Sequence, residues 1–221
     1  GGMGKTTIAS AVYDEIAPQF EHCCFLENIN EGFTKHGAVY MQAKLLSGML
    51  KEKMQSLGNL NAGYNMMMEK LGMKKVLVVF DDVHNTTQIE ALLGKPYSFG
   101  CGSRIIITTR KETIMSGCQI YCPNLLDDEA VKLFRHFAFR TINCSDEYDL
   151  LSRRAIGCAQ RLPLALKVLG SFLFDKSIEE WEVALKGLER FSSRGVESVF
   201  FKSFDDLHDS EKTIFLDIAC F

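Results

Sequence analysis

GGMGKTTIASAVYDEI, residues 1–16, runs from closely spaced glycines directly into a segment whose apolar residues recur at helical spacing. The helical pattern covers Thr6 to Ala17, and Pro18 marks its end. Glycines allow successive backbone N–H groups to converge on a phosphate, and the helix that follows presents its positive N-terminal end. The opening segment therefore predicts a phosphate-binding turn followed by a helix.

The same segment matches the last six positions of the phosphate-loop pattern G-x-x-x-x-G-K-[ST]. In that pattern the lysine, here Lys5, reaches the β and γ phosphates, and the hydroxyl of Thr6 coordinates Mg²⁺. The matched positions are Gly1, Gly2, Met3, Gly4, Lys5 and Thr6. Because the first glycine of the pattern would lie upstream of Gly1, we expect the chain to be a piece of a longer protein. The alternative interpretation is a flexible glycine-rich start before an ordinary helix.

Two later segments end in residues that suit phosphate chemistry. VLVVFDD (76–82) places Asp81 and Asp82 at the carboxyl end of a buried strand, where α/β sheets bring ligand-contacting groups. We expect Asp81 to bind Mg²⁺ and Asp82 to position the attacking water as the catalytic residue. GSRIIITTR (102–110) ends in Arg110, whose guanidinium could contact the γ phosphate. Solvated turn aspartates and a surface arginine at a strand end are the respective alternatives.

The order of apolar patterns predicts an α/β domain followed by helices. Strands apolar on both faces are typical of a parallel sheet that is covered by helices. We predict strands over 23–29, 76–80 and 104–109, a weaker one over 119–122, and helices over 40–57 and 62–72. Amphipathic helices are then predicted over 127–139, 149–160, 162–174 and 178–189. The predicted domains are 1–123, 124–193 and a truncated third domain over 194–221.

Composition excludes several classes of protein. The 221 residues are 47% hydrophobic and carry a formal net charge of -3, so the chain is globular and offers no basic surface for nucleic acid. Its eight cysteines show no C-x-x-C spacing, and we expect reduced thiols, with Cys23 and Cys24 as packing residues. No apolar run is long enough for a membrane span, so we expect a soluble chain. Trp181 has helical neighbours and is expected in the core.

Six motifs in order resemble those of the plant NB-ARC family of disease-resistance receptors, and together they cover essentially the whole chain. The motifs are GGMGKTT, FLENINEGFTKHGAVYMQAKLL, KKVLVVFDDV, GSRIIITTR, LPLALKVLG and FLDIACF. FLENI and FLDIACF are similar to the subclass that carries an amino-terminal TIR domain. The resemblance departs from the family at Arg161, where the family's GLPLA motif has glycine, and at His84, where aspartate or tryptophan is usual.

The resemblance implies an ADP/ATP-binding molecular switch of an intracellular immune receptor, which is reset by slow ATP hydrolysis. It implies that Thr7 joins the phosphate loop, that Arg110 senses the γ phosphate, and that Pro163 lies near the adenine and ribose. The second domain would be the helical ARC1-like bundle and the third the start of a winged-helix, ARC2-like domain. Nucleotide would bind between the sheet edge and the helical domain.

The resemblance also implies TIR and leucine-rich-repeat domains in cis, self-association on activation, and a cytoplasmic location with the nucleus as an alternative. Three other functions stay open at this point. The first is a related ATPase that regulates transcription, the second is a turnover phosphotransferase, and the third is a helical interaction module with a vestigial nucleotide site.

Overall fold

The structure is a computed structural model that divides into two compact units, one built on a sheet and one built of helices. The sheet unit covers residues 5–121, and the helical unit combines residues 2–4 with the chain from 122 onward. The described residues are 2–54, 57–95, 99–115, 119, 121, 125–139 and 146–190. Gly1 and the expected winged-helix segment 194–221 lie outside them, as do positions 120 and 122 of the weak strand expected over 119–122.

Among its described residues, the sheet unit contains three parallel strands in the order β1-β2-β3. The strands are β1 (His22–Leu26), β2 (Val76–Val83) and β3 (Arg104–Thr109). The helices of this unit are α1 (Lys5–Ile16), α2 (Ile29–His36), α3 (Ala38–Leu50), α4 (Leu60–Leu71) and α5 (Thr86–Leu93). Short 3-10 turns cover Ala17–Gln19 and Glu112–Met115. The parallel α/β sheet predicted from the sequence is confirmed.

Strand β2 is the centre of the sheet because it pairs with a strand on each side and is apolar on both faces. Val76 to Phe80 are each 0% exposed, which explains why this segment reads as a continuous apolar run rather than an alternating one. Leu45 and Leu46 of α3 and Met67 of α4 are also completely buried in this core. The sheet edge that follows β2 is therefore held on a rigid support.

Several element boundaries differ from the predicted ones for identifiable reasons. Strand β1 ends at Leu26 rather than 29, because Asn28 adopts a left-handed conformation (φ 50°) and α2 begins immediately after it. Helix α3 ends at Leu50 rather than 57, where Lys51 is also left-handed (φ 55°). Helix α5 was not predicted. It begins with a capping box between Asn85 and Gln88, a short-range signal in the sequence that marks a helix start.

The helical unit contains four helices among the described residues. They are α6 (Asp127–Phe139), α7 (Asp146–Cys158), α8 (Pro163–Leu173) and α9 (Ile178–Arg190). All four predicted helices are present, and α6 has the predicted bounds. No helix in the described part of the chain is both long enough and apolar enough to cross a membrane.

Trp181 lies in the core of the helical unit, as the sequence predicted, and contacts side chains from several helices. Its side chain is 1% exposed, and its ring centroid lies 5.4 Å from that of Phe139, 5.9 Å from Phe134 and 5.3 Å from Tyr148. Its indole N–H donates a hydrogen bond of 2.8 Å to the carbonyl oxygen of Leu173. One side chain thus links α6, α7, α8 and α9.

Replacing Trp181 by alanine should lower the free energy of unfolding of the helical unit by about 3–5 kcal/mol, because the change opens a cavity and removes the indole hydrogen bond to the Leu173 carbonyl. Trp181 is the single tryptophan of the chain, so the variant has no tryptophan fluorescence to report unfolding. Circular dichroism is therefore the appropriate measurement. Val183→Ala on the same helix is the control, since Val183 is 72% exposed and its loss should cost no more than about 0.5 kcal/mol. Equal effects of the two changes would contradict the central role of Trp181.

Candidate functional site

The carboxylate of Asp81 joins α1 to the two strands that carry the acidic and basic motifs. Its Oδ1 accepts hydrogen bonds from the hydroxyl of Thr6, in the first turn of α1, and from the hydroxyl of Thr108 in β3, both at 2.7 Å. Asp81 is only 3% exposed and Thr108 is 7% exposed. The structure therefore brings together two residues that the sequence placed in separate motifs, Thr6 and Asp81, and adds Thr108 to them.

This cluster has the donor chemistry that Mg²⁺ requires, because Mg²⁺ prefers oxygen ligands from carboxylates and hydroxyls. Within the described residues, no Lys, Arg or His forms an ion pair with Asp81, so its buried charge is balanced by two hydroxyl donors alone. A buried carboxylate without a cationic partner is costly, and a divalent cation would offset that cost. Thr6 and Asp81 are thus suited to hold the metal.

Asp82 has an unusual backbone conformation. It adopts φ 56°, a left-handed value that is rare for residues other than glycine, at a register shift between β2 and β3. Its N–H donates to the Thr108 hydroxyl at 2.9 Å. The bulge turns the side chain outward, so that Asp82 is 32% exposed whereas its neighbour Asp81 is buried. Two adjacent aspartates therefore have different environments.

Two basic side chains approach the Asp82 carboxylate from different directions. The Nε atom of Arg110 lies 3.6 Å from Oδ1, and the Nε2 atom of His84 lies 3.6 Å from Oδ2. Arg110 follows β3 directly and is 66% exposed, while His84 follows β2 and is 33% exposed. The structure thus places Arg110 beside the expected catalytic residue. Sequence reasoning missed Thr108 and His84, although both lie within three residues of a residue that it selected.

The remaining predicted site residues separate between the two units. Lys5, Thr6 and Thr7 form the first turn of α1 in the sheet unit. Gly2, Met3 and Gly4 group with the helical unit, as does Pro163, which is the first residue of α8. The predicted residue Gly1 lies outside the described part of the chain.

The glycine segment is fitted closely to the start of α8. The N–H of Leu164 donates to the carbonyl oxygen of Gly2 at 3.1 Å, and a Cβ atom on Gly2 would lie 2.8 Å from Cβ of Leu164. Gly2 and Gly4 have φ values of 74° and 79°, which side-chain-bearing residues adopt at a cost. Both the positive φ and the close contact therefore require glycine at position 2.

A cavity of about 1110 Å³ lies within the helical unit, and Met3 and Pro163 are among the residues that line it. Arg161 and Asp127 also line this cavity, and Arg161 Nε lies 2.9 Å from Asp127 Oδ1. Arg161 adopts φ 55°, a conformation that glycine would adopt without strain. The arginine at the family's glycine position is therefore accommodated with a strained backbone and an exposed ion pair.

A parallel sheet, a Gly-Lys-Thr segment that opens a helix and a pair of aspartates at a strand end define a phosphate-loop nucleotide-binding protein. The NB-ARC domain family matches residues 1–144. The chain therefore belongs to the NB-ARC family.

Several curated plant proteins are similar over the full chain. Disease resistance protein RUN1 of Vitis rotundifolia is 42% identical over 226 residues, which cover 100% of this chain and 17% of that protein. TMV resistance protein N of Nicotiana glutinosa is 40% identical over 230 residues, covering 100% of this chain and 20% of that protein. Disease resistance protein RPV1 of Vitis rotundifolia is 39% identical. The chain thus spans roughly a sixth to a fifth of the length of these relatives.

Thr108→Val should destabilise the sheet unit by about 1–3 kcal/mol, because it leaves the Asp82 N–H without its acceptor and removes one of the two donors to buried Asp81. Thr108→Ser is the matched control, since it keeps the hydroxyl and should retain most of the stability. Urea unfolding of both variants measures the difference. A serine variant as unstable as the valine variant would show that the methyl group, rather than the hydroxyl, matters at this position.

Proposed function

We propose that the chain is the ADP/ATP-binding switch of a plant disease-resistance receptor, and that slow ATP hydrolysis resets the switch. The observation that carries this proposal is the hydrogen-bonded cluster of Thr6, Asp81 and Thr108 directly beside the exposed carboxylate of Asp82. A buried, metal-binding carboxylate next to a solvent-accessible one separates the two tasks of a nucleotide hydrolase. One residue holds the metal and the other acts on water.

The phosphate-binding residues follow from the chemistry of each side chain. The Lys5 ammonium would pair with the β and γ phosphates, while the backbone N–H groups from Gly1 to Thr7 would contact the phosphate oxygens. Thr6 and Asp81 would hold Mg²⁺, which neutralises phosphate charge when it is bound. Pro163 would contact the adenine and ribose.

Hydrolysis would require water to attack the γ phosphorus, with cleavage of the bond to the oxygen that bridges the β and γ phosphates. The products are ADP and inorganic phosphate. Asp82 would orient the water and accept its proton, which passes on to the phosphate product. Arg110 would contact the γ phosphate, because a guanidinium pairs well with phosphate oxygens and keeps its charge. Because turnover is slow, the identity of the bound nucleotide, ATP or ADP, would determine the signalling state.

The relatives are several times longer than this chain, so the proposal includes a larger context. We propose that TIR and leucine-rich-repeat domains accompany the chain in cis, that activation leads to self-association, and that the receptor acts in the cytoplasm or the nucleus. The names of the relatives, which are disease resistance proteins, support a role in plant defence.

In the full-length protein, Lys5→Ala should abolish nucleotide retention, because the phosphates lose their closest cation. The measurement is the ADP released on denaturation of purified protein. Lys44→Ala is the matched control, since Lys44 is exposed on α3, and it should retain the wild-type amount of nucleotide. Wild-type protein that purifies without nucleotide, or a Lys5 variant that is equally loaded, would contradict the phosphate-loop assignment.

Asp82→Ala should slow single-turnover ATP hydrolysis by about 100-fold or more while leaving the dissociation constant for ATP nearly unchanged, because Asp82 is assigned to water and not to nucleotide. The variant should also signal without an activating ligand in a plant cell-death assay, since ATP persists. Asp14→Ala, an exposed change on α1, is the control for both measurements. If Asp82→Ala accumulates normally and binds ATP but does not signal without the activating ligand, the role of Asp82 or the switch itself is wrong.

A further inference from the structure

The two oxygens of the Asp82 carboxylate have different partners. Only one of these partners, Arg110, has a side chain that can move away from Asp82. Arg110 lies near Oδ1 and has a side chain that is two-thirds exposed, so it can turn toward a phosphate without breaking a buried contact. His84 lies near Oδ2 on a segment that is fixed by hydrogen bonds. The two sides of the carboxylate are therefore not equivalent.

The backbone of His84 is fixed by the start of α5. Its N–H donates to the Oε1 atom of Gln88 at 2.8 Å, and the same amide oxygen accepts from the N–H of Asn85 at 3.2 Å. Gln88 is 5% exposed and also belongs to the capping box of α5. Because the residues before and after His84 are held by β2 and by this cap, the backbone that carries its ring is fixed beside Asp82, and Nε2 lies 3.6 Å from Oδ2 of Asp82.

The backbone contacts of Asp82 do not by themselves orient its carboxylate. Its left-handed backbone turns the side chain away from the core, and the hydrogen bond to Thr108 holds the main chain but does not restrict rotation of the carboxylate. A carboxylate that activates water is effective only when one of its oxygens is oriented toward that water. Groups that activate a nucleophile are commonly oriented by a third residue.

We infer that His84 is a positioning residue for Asp82. Its Nε2–H donates to Oδ2 of Asp82 in the nucleotide-bound state, so that Oδ1 faces the attacking water. Arg110 occupies Oδ1 in the structure described here, and its transfer to the γ phosphate frees that oxygen. The separation of 3.6 Å between His84 and Asp82 is longer than a hydrogen bond, as catalytic contacts often are before substrate binds. This inference rests on the proposed function of Asp82.

The family's usual aspartate or tryptophan at this position would not give the same arrangement. An aspartate would place a second negative charge beside Asp82, and a tryptophan offers a donor on a larger ring. The histidine supplies a donor from a ring that is one-third exposed, without adding a negative charge to the site. His84 thus explains how this chain orients Asp82 where its sequence departs from the family pattern.

The test compares His84→Leu with His84→Gln in the full-length protein by single-turnover hydrolysis of ATP with Mg²⁺. Leucine removes the donor, and we expect hydrolysis to slow by about tenfold to a hundredfold with an ATP dissociation constant within about twofold of wild type. Glutamine offers an N–H donor near the same place and should restore most of the rate. His36→Leu, an exposed histidine change on α2, should hydrolyse ATP like the wild type.

A double-mutant cycle separates positioning from a structural effect. If His84 acts through Asp82, His84→Leu should add no more than about twofold to the loss caused by Asp82→Ala, whereas a loss that multiplies would overturn the inference. Wild-type hydrolysis by His84→Leu, or failure of glutamine to rescue the rate, would also overturn it. Normal hydrolysis by Asp82→Ala would overturn both this inference and the role of Asp82, whereas a slow Asp82 variant beside a normal His84→Leu variant would overturn only this inference.

Discussion

The hydroxyls of Thr6 and Thr108 both donate to a single oxygen of the buried Asp81 carboxylate, and the sheet unit depends on this arrangement. A carboxylate at 3% exposure must have its charge compensated, and these two donors come from the first turn of α1 and the end of β3. The helix that follows the glycines is thereby fixed to the edge of the sheet. The first turn of α1 and the carboxyl ends of β2 and β3 are consequently held together by one carboxylate.

The register shift beside this carboxylate produces the second feature of the site. Three steps along β2, from Phe80 to Val83, oppose two along β3, and the extra residue gives Asp82 its left-handed backbone. Such a conformation costs on the order of 1–3 kcal/mol and persists only where surrounding contacts hold it. The hydroxyl of Thr108 accepts the Asp82 N–H and so supplies one of these contacts. The strained conformation exposes Asp82 while Asp81 stays buried.

The helical unit is stabilised by different means. Its core is built on aromatic contacts around Trp181, which are independent of the polar cluster in the sheet unit. Arg161, which departs from the family pattern, lines the cavity of this unit. It takes a glycine-like conformation and pairs with Asp127. The pair is exposed on both sides and contributes little to stability. The ion pair therefore does little to offset the strain of the Arg161 backbone.

The sequence by itself determined the parallel sheet and the four later helices, and it selected Thr6, Asp81 and Arg110 as candidate site residues, because buried strands, amphipathic periods and phosphate-binding motifs are all local patterns. Tertiary structure decided the rest. Thr108 and His84 join the candidate site only because a bulge and a helix cap bring them to the two aspartates. A threonine or a histidine in the sequence does not by itself predict such a contact. The end of β1 at Leu26 depended on one left-handed asparagine, a backbone choice that hydrophobic pattern does not encode.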